Sequence, residues 1–392
     1  MHLGYHFHIP AFVNSDGIFT PGYQGRFIDS LASFCEEVTC FLHHPRRDEL
    51  DKMDYCIQSP NVRLIGIGYH DSVLRRILNT KRYISIIRSW QTKLDILLIR
   101  GPSPLLPAIA SSVEPRVPAV LLLVSDYLSG VNELPQPWWR KEIIRWWIYR
   151  NQFAQNRVAR KSLTFVNSHK LFIELQSSVP NLVEIRTTTL NKNDFYERED
   201  TCQSCPVHLL YTGRISRSKG LFDIVEAVAI LISRNVAVLL DIVGWPEKAE
   251  ENIVNELEDY ARKKGLEGRV KFHGYKAVGP ELFSYYRQAD IYVIASRSSF
   301  EGFPRSIWEA MAHSLPVIAT RVGTIPSYIE GTAELVMPND PPGLADALLR
   351  LINSPDLRRK HISRGIELAR ENTLEKQVGE MVKIISEWIG QR

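Results

Sequence analysis

The sequence predicts an α/β protein made of two domains, each with strands and helices in alternation. Its 392 residues are enough for two or three domains with buried cores. Hydrophobic residues make up 44% of the chain and charged residues 23%, which is the composition of an ordinary globular protein. Short apolar, β-branched runs alternate with helical patterns through both halves of the chain. This order is typical of parallel sheets covered by helices.

The strand-like runs of the first half end in polar loops. These runs are LGYHFHIPAF, VTCFLHH, NVRLIGIG, LDILLIRGPSP, VPAVLLLVSDY and SLTFVNSH. Arg100 and Asp126 stand at the carboxyl ends of two of them. Ligands of open α/β sheets bind at that edge, so both side chains are candidate ligand contacts. His6 and His8 fall on one face of the first run, and without a carboxylate or cysteine nearby we interpret them as packing or bonding locally.

A glycine-rich turn enters the first helical pattern. Pro21, Gly22 and Gly25 form this turn, and an apolar stripe runs from Phe27 to Phe34. Backbone amides and the positive end of the helix dipole coincide at such a place. Gly22 and Gly25 are therefore candidate contacts for an anion, although glycines of this kind often serve only to turn the chain.

The second half opens with the strand-like run PVHLLYTGRI, followed by the helical pattern SRSKGLFDIVEAVAILI. Arg214, Arg217 and Lys219 cluster where this helix is predicted to begin, near Ser218. The helix dipole repels cations at that end by about 0.3–1 kcal/mol each, so the cluster indicates that an anion sits among them. A diphosphate suits this arrangement, because Arg offers a planar fork and Lys a point charge.

The stretch from Ser296 to Pro316 joins two further strand-like runs through a loop and a helix beginning near Ser306. Glu301 lies in the loop and Glu309 in the first part of the helix. Ser306 and Glu309 also fit the S-x-x-E capping box. The spacing alone therefore leaves two roles open for Glu309, a helix cap or a ligand contact.

The motifs of the second half resemble those of a known family. E-G-F-P, four further residues, E-A-M-A and then P-V-I-A-T are similar to the E-x7-E signature of family-four (group 1) retaining glycosyltransferases of the GT-B fold, and G-R-x(4)-K-G matches the same family. The resemblance is close from His208 to Gly331 and loose in the first half. It implies two Rossmann-like βαβ domains that face each other across a cleft.

The resemblance also implies roles for individual residues. Glu301, Arg214 and Lys219 are the expected catalytic groups, which hold the donor sugar and its diphosphate. The expected donor-binding residues are Gly302, Phe303, Glu309, Arg217, Tyr275, Gly22 and Gly25. On the acceptor side we expect Arg100 and Asp126, the latter where relatives commonly carry a histidine beside an acidic residue.

The predicted organisation follows from these assignments. Residues 1–193 form an acceptor-side domain and 194–206, which are polar and turn-rich, form a linker. Residues 207–371 form a nucleotide-sugar-binding domain. Residues 372–392 form a terminal helix that crosses back to the first domain, as the GT-B resemblance implies.

The predicted function is transfer of a hexosyl group from a UDP- or GDP-sugar to a hydroxyl of a glycan or lipid-linked glycan, in cell-surface polysaccharide or glycoconjugate biosynthesis. Neither a cofactor nor a metal is expected, since Cys202 and Cys205 have metal-ligand spacing but lack a second ligand pair nearby. Two alternatives stay open: a sugar-nucleotide epimerase of the same architecture and a non-catalytic interaction subunit. A dinucleotide-dependent dehydrogenase would need G-x-G-x-x-G after the first strand, and the sequence has none there.

A basic, aromatic segment runs from Gln136 to Lys161. It contains seven basic residues and one acidic, a net charge of +6 in a chain whose net charge is +4. One interpretation is a long helix whose stripe of Trp139, Ile143, Trp147, Ala154 and Val158 packs on the core. The other is docking on an anionic membrane surface.

No signal peptide is apparent and the five cysteines do not suggest a disulfide framework. We therefore expect a cytoplasmic protein. If the basic segment docks on a membrane, the protein would be peripheral on the inner face of that membrane. The mild net charge does not suggest nucleic-acid binding.

Overall fold

The structure, a computed structural model, describes residues 1–113, 116–124, 137–246, 252–299 and 301–391. It separates into two units, one formed by residues 1–187 and 374–392 and the other by 188–373. Asp126 lies outside the described residues.

The first unit is built on a parallel sheet whose described strands follow the order β10-β9-β8-β7-β1-β4-β6. These strands are β1 (His2–His6), β4 (Glu37–His44), β6 (Val62–Tyr69), β7 (Ile96–Gly101), β8 (Ala119–Leu123), β9 (Leu163–Val166) and β10 (Leu182–Glu184). A small antiparallel sheet adds β2 (Phe12–Asn14), β3 (Gly17–Thr20) and β5 (Tyr55–Cys56). The central strands are buried along both faces, which explains their continuous apolar sequence.

Helices cover both faces of this sheet. They are α1 (Gly22–Ala32), α2 (Val73–Leu78), α3 (Thr80–Arg88), α4 (Leu106–Ser112), α5 (Trp138–Ala159), α6 (His169–Leu175) and α14 (Leu374–Gly390). The terminal helix α14 belongs to this unit, and its buried residues Leu374, Val378, Met381 and Ile385 share one apolar cluster with Ile28 of α1.

The second unit has a parallel sheet in the order β13-β12-β11-β14-β15-β16. Its strands are β11 (Val207–Thr212), β12 (Val238–Val243), β13 (Val270–Phe272), β14 (Ile291–Ile294), β15 (Val317–Thr320) and β16 (Glu334–Val336). Its described helices are α7 (Leu221–Ser233), α8 (Ile253–Lys263), α9 (Pro280–Gln288), α10 (Arg305–Ala312), α11 (Ile325–Ile329), α12 (Pro341–Asn353) and α13 (Pro355–Glu371). Two doubly covered parallel sheets confirm the predicted α/β class with two Rossmann-like units.

Strand order reverses once in each sheet, between β1 and β7 in the first unit and between β11 and β14 in the second. At such a reversal the connections leave in opposite directions and open a crevice beyond the carboxyl ends of the two strands. The topology therefore provides one ligand-binding edge in each unit.

The segment 194–206 differs from the linker that its polar sequence predicts. The backbone N–H of Arg198 donates to Ser314 Oγ at 3.0 Å. Asp200 accepts from Arg358 Nε at 2.7 Å, with both side chains almost fully buried. The amide of Cys202 donates to Asp290 Oδ1 at 2.7 Å. The segment is thus part of the second unit, which begins at Thr188 rather than after 206.

Three imidazoles lie at the carboxyl edge of the first sheet, of which His6 and His43 are fully buried and His8 is partly exposed. Burial lowers the pKa of His6 to about 4. Burial, together with neighbours that include Arg76, lowers the pKa of His8 to about 3 and that of His43 to about 2. The folded chain therefore holds these imidazoles neutral at pH values where an exposed histidine takes up a proton.

Acidification should accordingly destabilise the protein. A folded pKa below the ordinary 6.5 contributes stability that is present above pH 6.5 and is lost as the pH falls towards the folded value. We expect the free energy of unfolding to fall below pH 6.5 with a slope of up to about 1.4 kcal/mol per pH unit for each imidazole. Urea unfolding at about pH 7, 6 and 5 measures this slope. His43→Leu should make the slope shallower and His169→Gln, at an exposed position, should not; equal slopes in all three proteins would contradict the explanation.

Candidate active site

Two loops of the second unit meet at the carboxyl edge where strand order reverses. One follows β11 and contains a 3₁₀ turn, Arg217–Lys219, and the other runs from the end of β14 to α10. The backbone N–H of Arg297 donates to the carbonyl of Ser218 at 2.8 Å. The guanidinium of Arg297 also holds the buried carboxylate of Asp223 in the first turn of α7, with Nε to Oδ2 at 2.8 Å. These contacts fix the two loops side by side.

Lys219 and Glu301 face each other across these loops. Lys219 Nζ lies 2.6 Å and 2.7 Å from the two carboxylate oxygens of Glu301. Each side chain is only 11% exposed, so little water screens the pair. The structure thus brings together a cation and a carboxylate that the sequence assigned separately to diphosphate and sugar, and each neutralises the other.

Two glycines permit this close approach. Gly220 has φ +66°, and a Cβ at its position would lie 1.9 Å from the carbonyl oxygen of Ala295. Gly323 has φ +54°, and a Cβ there would lie 1.9 Å from the carbonyl oxygen of Glu301. The same carbonyl accepts the amide of Thr324 at 3.1 Å. Both positions require glycine for conformation and for space.

Glu309 is buried in α10 with both carboxylate oxygens engaged. Thr189 Oγ1 donates to Oε1 at 2.6 Å and the hydroxyl of Tyr286 donates to Oε2 at 2.8 Å. The helix begins after Pro304, which makes no side-chain cap, and Ser306 Oγ accepts from Tyr292 at 2.7 Å. The capping-box interpretation is therefore wrong, and Glu309 is the centre of a polar network.

This network extends into the core beneath the site. Tyr286 OH lies 2.5 Å from Thr212 Oγ1 at the end of β11, and Tyr292 OH lies 3.2 Å from the carbonyl oxygen of Thr212. Burial, and then the charge of Glu309, raises the pKa of Tyr286 well above its usual range. Burial raises the pKa of Tyr292 to about 12. Both phenols therefore stay protonated and act as donors towards Glu309 and Ser306.

The other two cations of the predicted cluster differ from Lys219 in their surroundings. Arg214 is exposed, and its carbonyl accepts the hydroxyl of Tyr211 at 2.6 Å. Arg217 pairs with Glu256 of α8 and stacks at 5.6 Å over the ring of Phe222. Lys219 itself ends the 3₁₀ turn before α7 rather than standing in the first turn of that helix. The structure therefore groups Lys219 with Glu301 and directs Arg217 towards α8.

Aromatic rings border the site. Phe303 packs against Trp308 and Tyr328, with ring centroids 4.3 Å and 5.2 Å apart, and so anchors the loop after Glu301. Tyr275, beyond β13, forms an edge-to-face pair with Trp245, beyond β12, at 4.9 Å, and both rings are more than a third exposed. The sequence motifs did not single out Trp245, although an aromatic residue directly after a buried strand is the signal that could have found it. Within the described ranges, nothing lies within 4 Å of a Cβ built on Gly302.

The glycine turn of the first unit differs from an open amide cradle. Gly22 begins α1, and its N–H donates to Asp54 Oδ1 at 2.8 Å. A Cβ at Gly25 would lie 2.2 Å from the ring of Tyr55. Gly22 therefore already has an anionic partner, and Gly25 is required for close packing.

Arg100 is placed by β7 at the edge of the first sheet. It is only 7% exposed, and its guanidinium lies 4.8 Å from the ring centroid of Phe7 and 5.1 Å from that of Phe27. Its expected companion Asp126 lies outside the described residues.

Two Rossmann-like units with ligand loops at the carboxyl edges of their sheets define the GT-B fold, and solved structures agree. HepE of Anabaena, in complex with UDP and glucose, has a TM-score of 0.70 at 17% identity, covering 99% of this chain and 100% of that one. Sucrose-phosphate synthase of Thermosynechococcus elongatus has a TM-score of 0.73 at 17% identity and full coverage of both chains. The predicted fold class is confirmed.

Residues 206–354 match the family model described as glycosyl transferases group 1. D-inositol 3-phosphate glycosyltransferase of Corynebacterium jeikeium is 35% identical over 152 residues, which is 38% of this chain and 36% of that protein. Mannosylfructose-phosphate synthase of Agrobacterium fabrum is 32% identical over 115 residues, 29% of this chain and 25% of that protein. Residues 206–354 of the second unit are thus similar to group 1 glycosyl transferases, as the motifs indicated, and the chain spans about a third of the length of the curated relatives it matches.

The network around Glu309 should be measurable as stability. We expect Glu309→Ala to lower the free energy of unfolding by roughly 1–3 kcal/mol for each buried hydroxyl that loses its acceptor. Tyr286→Phe should cost less, and the double variant should cost less than the sum because the two side chains share a hydrogen bond. Urea unfolding of the full chain measures all three. The control Glu330→Ala breaks an exposed ion pair with Arg321 and should leave the free energy of unfolding nearly unchanged. Additive losses at Glu309 and Tyr286 would show that the network does not act as a unit.

Proposed function

We propose that the protein is a retaining glycosyltransferase that moves a hexosyl group from a UDP- or GDP-sugar to an acceptor hydroxyl of a glycan or lipid-linked glycan. The observation that carries the proposal is the Lys219–Glu301 pair at the switch point of a group 1 domain. A nucleotide diphosphate sugar supplies an anion for the ammonium and hydroxyls for the carboxylate. HepE, which shares the fold, binds UDP and glucose, and this likeness supports a nucleotide-sugar donor.

The proposed chemistry depends on positioning and electrostatics. The bond between the anomeric carbon and the β-phosphate oxygen breaks as the bond to the acceptor oxygen forms on the same face of the sugar. The acceptor proton passes to the departing phosphate. Lys219 and Arg214 stabilise the negative charge on the nucleoside diphosphate, Glu301 holds the sugar hydroxyls and Glu309 the ribose. Lysine and arginine can supply this charge stabilisation themselves, so we propose a reaction without a cofactor or a metal.

Binding measurements test the diphosphate assignment. Lys219→Ala should weaken UDP or GDP binding, because a charge-assisted contact contributes roughly 1.5–3 kcal/mol, or about 10- to 100-fold in affinity. Arg214→Ala should act in the same direction. Lys263→Ala, at an exposed position of α8, is the matched control and should bind as the parent does. Unchanged affinity for both nucleotides in Lys219→Ala and Arg214→Ala, measured by isothermal titration, would refute the assignment.

Glu301→Gln separates the two members of the pair in the same experiment. It removes the counter-ion of Lys219, so nucleotide affinity should stay equal or rise while transfer is lost. If nucleotide affinity instead falls as far as in Lys219→Ala, the carboxylate serves to hold Lys219 rather than the sugar. Conversion of the free donor into an epimer, with no transfer, would favour the epimerase alternative.

We also propose that the protein docks on the anionic inner face of a membrane through α5, as a peripheral cytoplasmic enzyme. The supporting observation is that large aromatic side chains of α5 are exposed to solvent. Trp138, Trp146 and Phe153 are 77%, 60% and 73% exposed, whereas Ile148 and Ala159 face the core. Trp139 and Ile143, which the core interpretation would bury, are also exposed. Within the described ranges, no helix is both long enough and apolar enough to span a membrane.

Vesicle co-sedimentation tests the docking. Each basic residue near an anionic surface contributes about 1 kcal/mol, and exposed tryptophans add interfacial burial. We expect the full chain to pellet with vesicles that contain phosphatidylserine and not with pure phosphatidylcholine, and less at high salt. Trp146→Ala combined with Phe153→Ala should reduce pelleting, whereas Leu78→Ala, 75% exposed on α2, should not. Equal and negligible pelleting with both lipids at low salt would end the proposal.

A further inference from the structure

Imidazole and guanidinium side chains gather at the carboxyl edge of the first unit's sheet. His6 ends β1 and His8 follows it, His43 lies near the end of β4, His70 follows β6, and Arg100 lies near the end of β7. We call these five residues the histidine–arginine cluster. The cluster lies where strand order reverses between β1 and β7. Ligands of open parallel sheets bind at this position.

The members of the cluster are in mutual reach. The ring centroids of His6 and His43 are 6.4 Å apart, and those of His43 and His70 are 6.0 Å apart. The ring centroids of His8 and Phe7 are 4.3 Å apart. The guanidinium carbon of Arg100 lies 4.8 Å from the ring centroid of Phe7. The cluster thus comprises two contact groups, one of His6, His43 and His70 and one of His8 and Arg100, and His6, His70 and Arg100 are close enough to affect the pKa of His8.

Several of its polar atoms are unsatisfied, although His70 Nδ1 lies 2.7 Å from the carboxylate of Glu49. Among the described residues, no hydrogen-bond partner exists for His6 Nε2, His8 Nδ1 or Arg100 Nε. Buried polar atoms are nearly always paired, so a concentration of exceptions at one edge requires an explanation such as a ligand. The other ring nitrogen of His6 is bonded to the carbonyl oxygen of Phe41 at 2.8 Å, which fixes that ring in place.

The charge of the cluster determines which kind of ligand suits it. Arg100 is 7% exposed and, within the described ranges, its hydrogen-bonding neighbour is the hydroxyl of Tyr5 rather than a carboxylate. The rings of Phe7 and Phe27 beside it do not neutralise its charge. A buried guanidinium without a counter-ion is strongly unfavourable. Arg76 of α2 is buried too and adds positive charge near His8. Among the described residues no group of side chains is arranged to hold a metal ion, and two guanidinium groups would repel one.

We propose that the histidine–arginine cluster binds an anionic group, a phosphate or a carboxylate, of the acceptor, with Arg100 as the charge partner and His8 as a neutral N–H donor. That the anion belongs to the acceptor rests on the proposed function, whereas anion binding itself does not. An acceptor with such a group would be fixed at the first unit while its hydroxyl is left to react.

Titration behaviour supports the same assignment. Burial, followed by the charges of Arg76, His70, His6 and Arg100, lowers the pKa of His8 to about 3. A bound anion opposes the effect of those positive charges, so binding should raise the pKa of His8. Nuclear magnetic resonance of the imidazoles, with and without inorganic phosphate, detects this rise.

The test uses the full chain with the nucleotide site saturated by UDP, so that phosphate cannot bind there. Calorimetric titration with inorganic phosphate should show binding that falls at least about 10-fold in Arg100→Met and less in Arg100→Lys, which keeps the charge but loses the fork. Arg63→Met, which removes an exposed guanidinium from β6, is the matched control and should bind as the parent does. His8→Phe keeps the ring and should weaken binding even if Arg100→Met does not fold. The proposal would be overturned if the parent does not bind phosphate, or if both Arg100→Met and His8→Phe bind phosphate as tightly as the parent does.

Competition identifies the anion. If glucose 6-phosphate displaces inorganic phosphate more strongly than glucuronate does, the anionic group of the acceptor is a phosphate. If glucuronate is the stronger competitor, the group is a carboxylate. Displacement by glucose itself at equal concentration would overturn a charge-based site. The titration of Lys219→Ala with UDP reports on the second unit alone, so a failed transferase assignment leaves this result readable.

Discussion

The second unit depends on one buried negative charge. A carboxylate inside a protein is tolerated only when donors replace the water it has lost. Glu309 obtains such donors from Thr189, at the start of the unit, and from Tyr286 of α9. Through Tyr286 it is joined to Thr212 at the end of β11. The requirement to satisfy one side chain therefore ties together the chain segments that carry the candidate active site.

Strand order imposes the second constraint. In both units the reversal leaves a crevice that the sheet cannot fill with its own side chains, and loops must come close there without blocking it. In the second unit, glycines at 220 and 323 allow backbone to lie directly against the carbonyls of Ala295 and Glu301. In the first unit, the same topology gathers basic side chains with few partners. One architectural rule thus produces two chemically different edges.

The sequence was informative where function is carried by short-range patterns. Continuous apolar runs predicted the buried strands, and contiguous motifs singled out Lys219 and Glu301, which the structure places together at the carboxyl edge of the second sheet. The partners of Glu309 could not be found in this way, because Thr189 and Tyr286 are distant in the chain and have no motif of their own. The local S-x-x-E pattern predicted a helix cap at Glu309 for the same reason. Helical spacing does not reveal which distant residues contact the side chain. Polar composition likewise predicted a linker where Asp200 forms a buried ion pair with Arg358.

The reciprocal neutralisation of Lys219 and Glu301 has a consequence for turnover. A bare nucleoside diphosphate that takes Lys219 leaves the carboxylate without a partner in a poorly hydrated place, whereas an intact donor compensates both groups. In the proposed transferase, Glu301 would compete with the leaving diphosphate for Lys219 once the sugar has been transferred. The spent nucleotide would then be held less firmly than the intact donor. A single ion pair would in this way discriminate between substrate and product and relieve product inhibition.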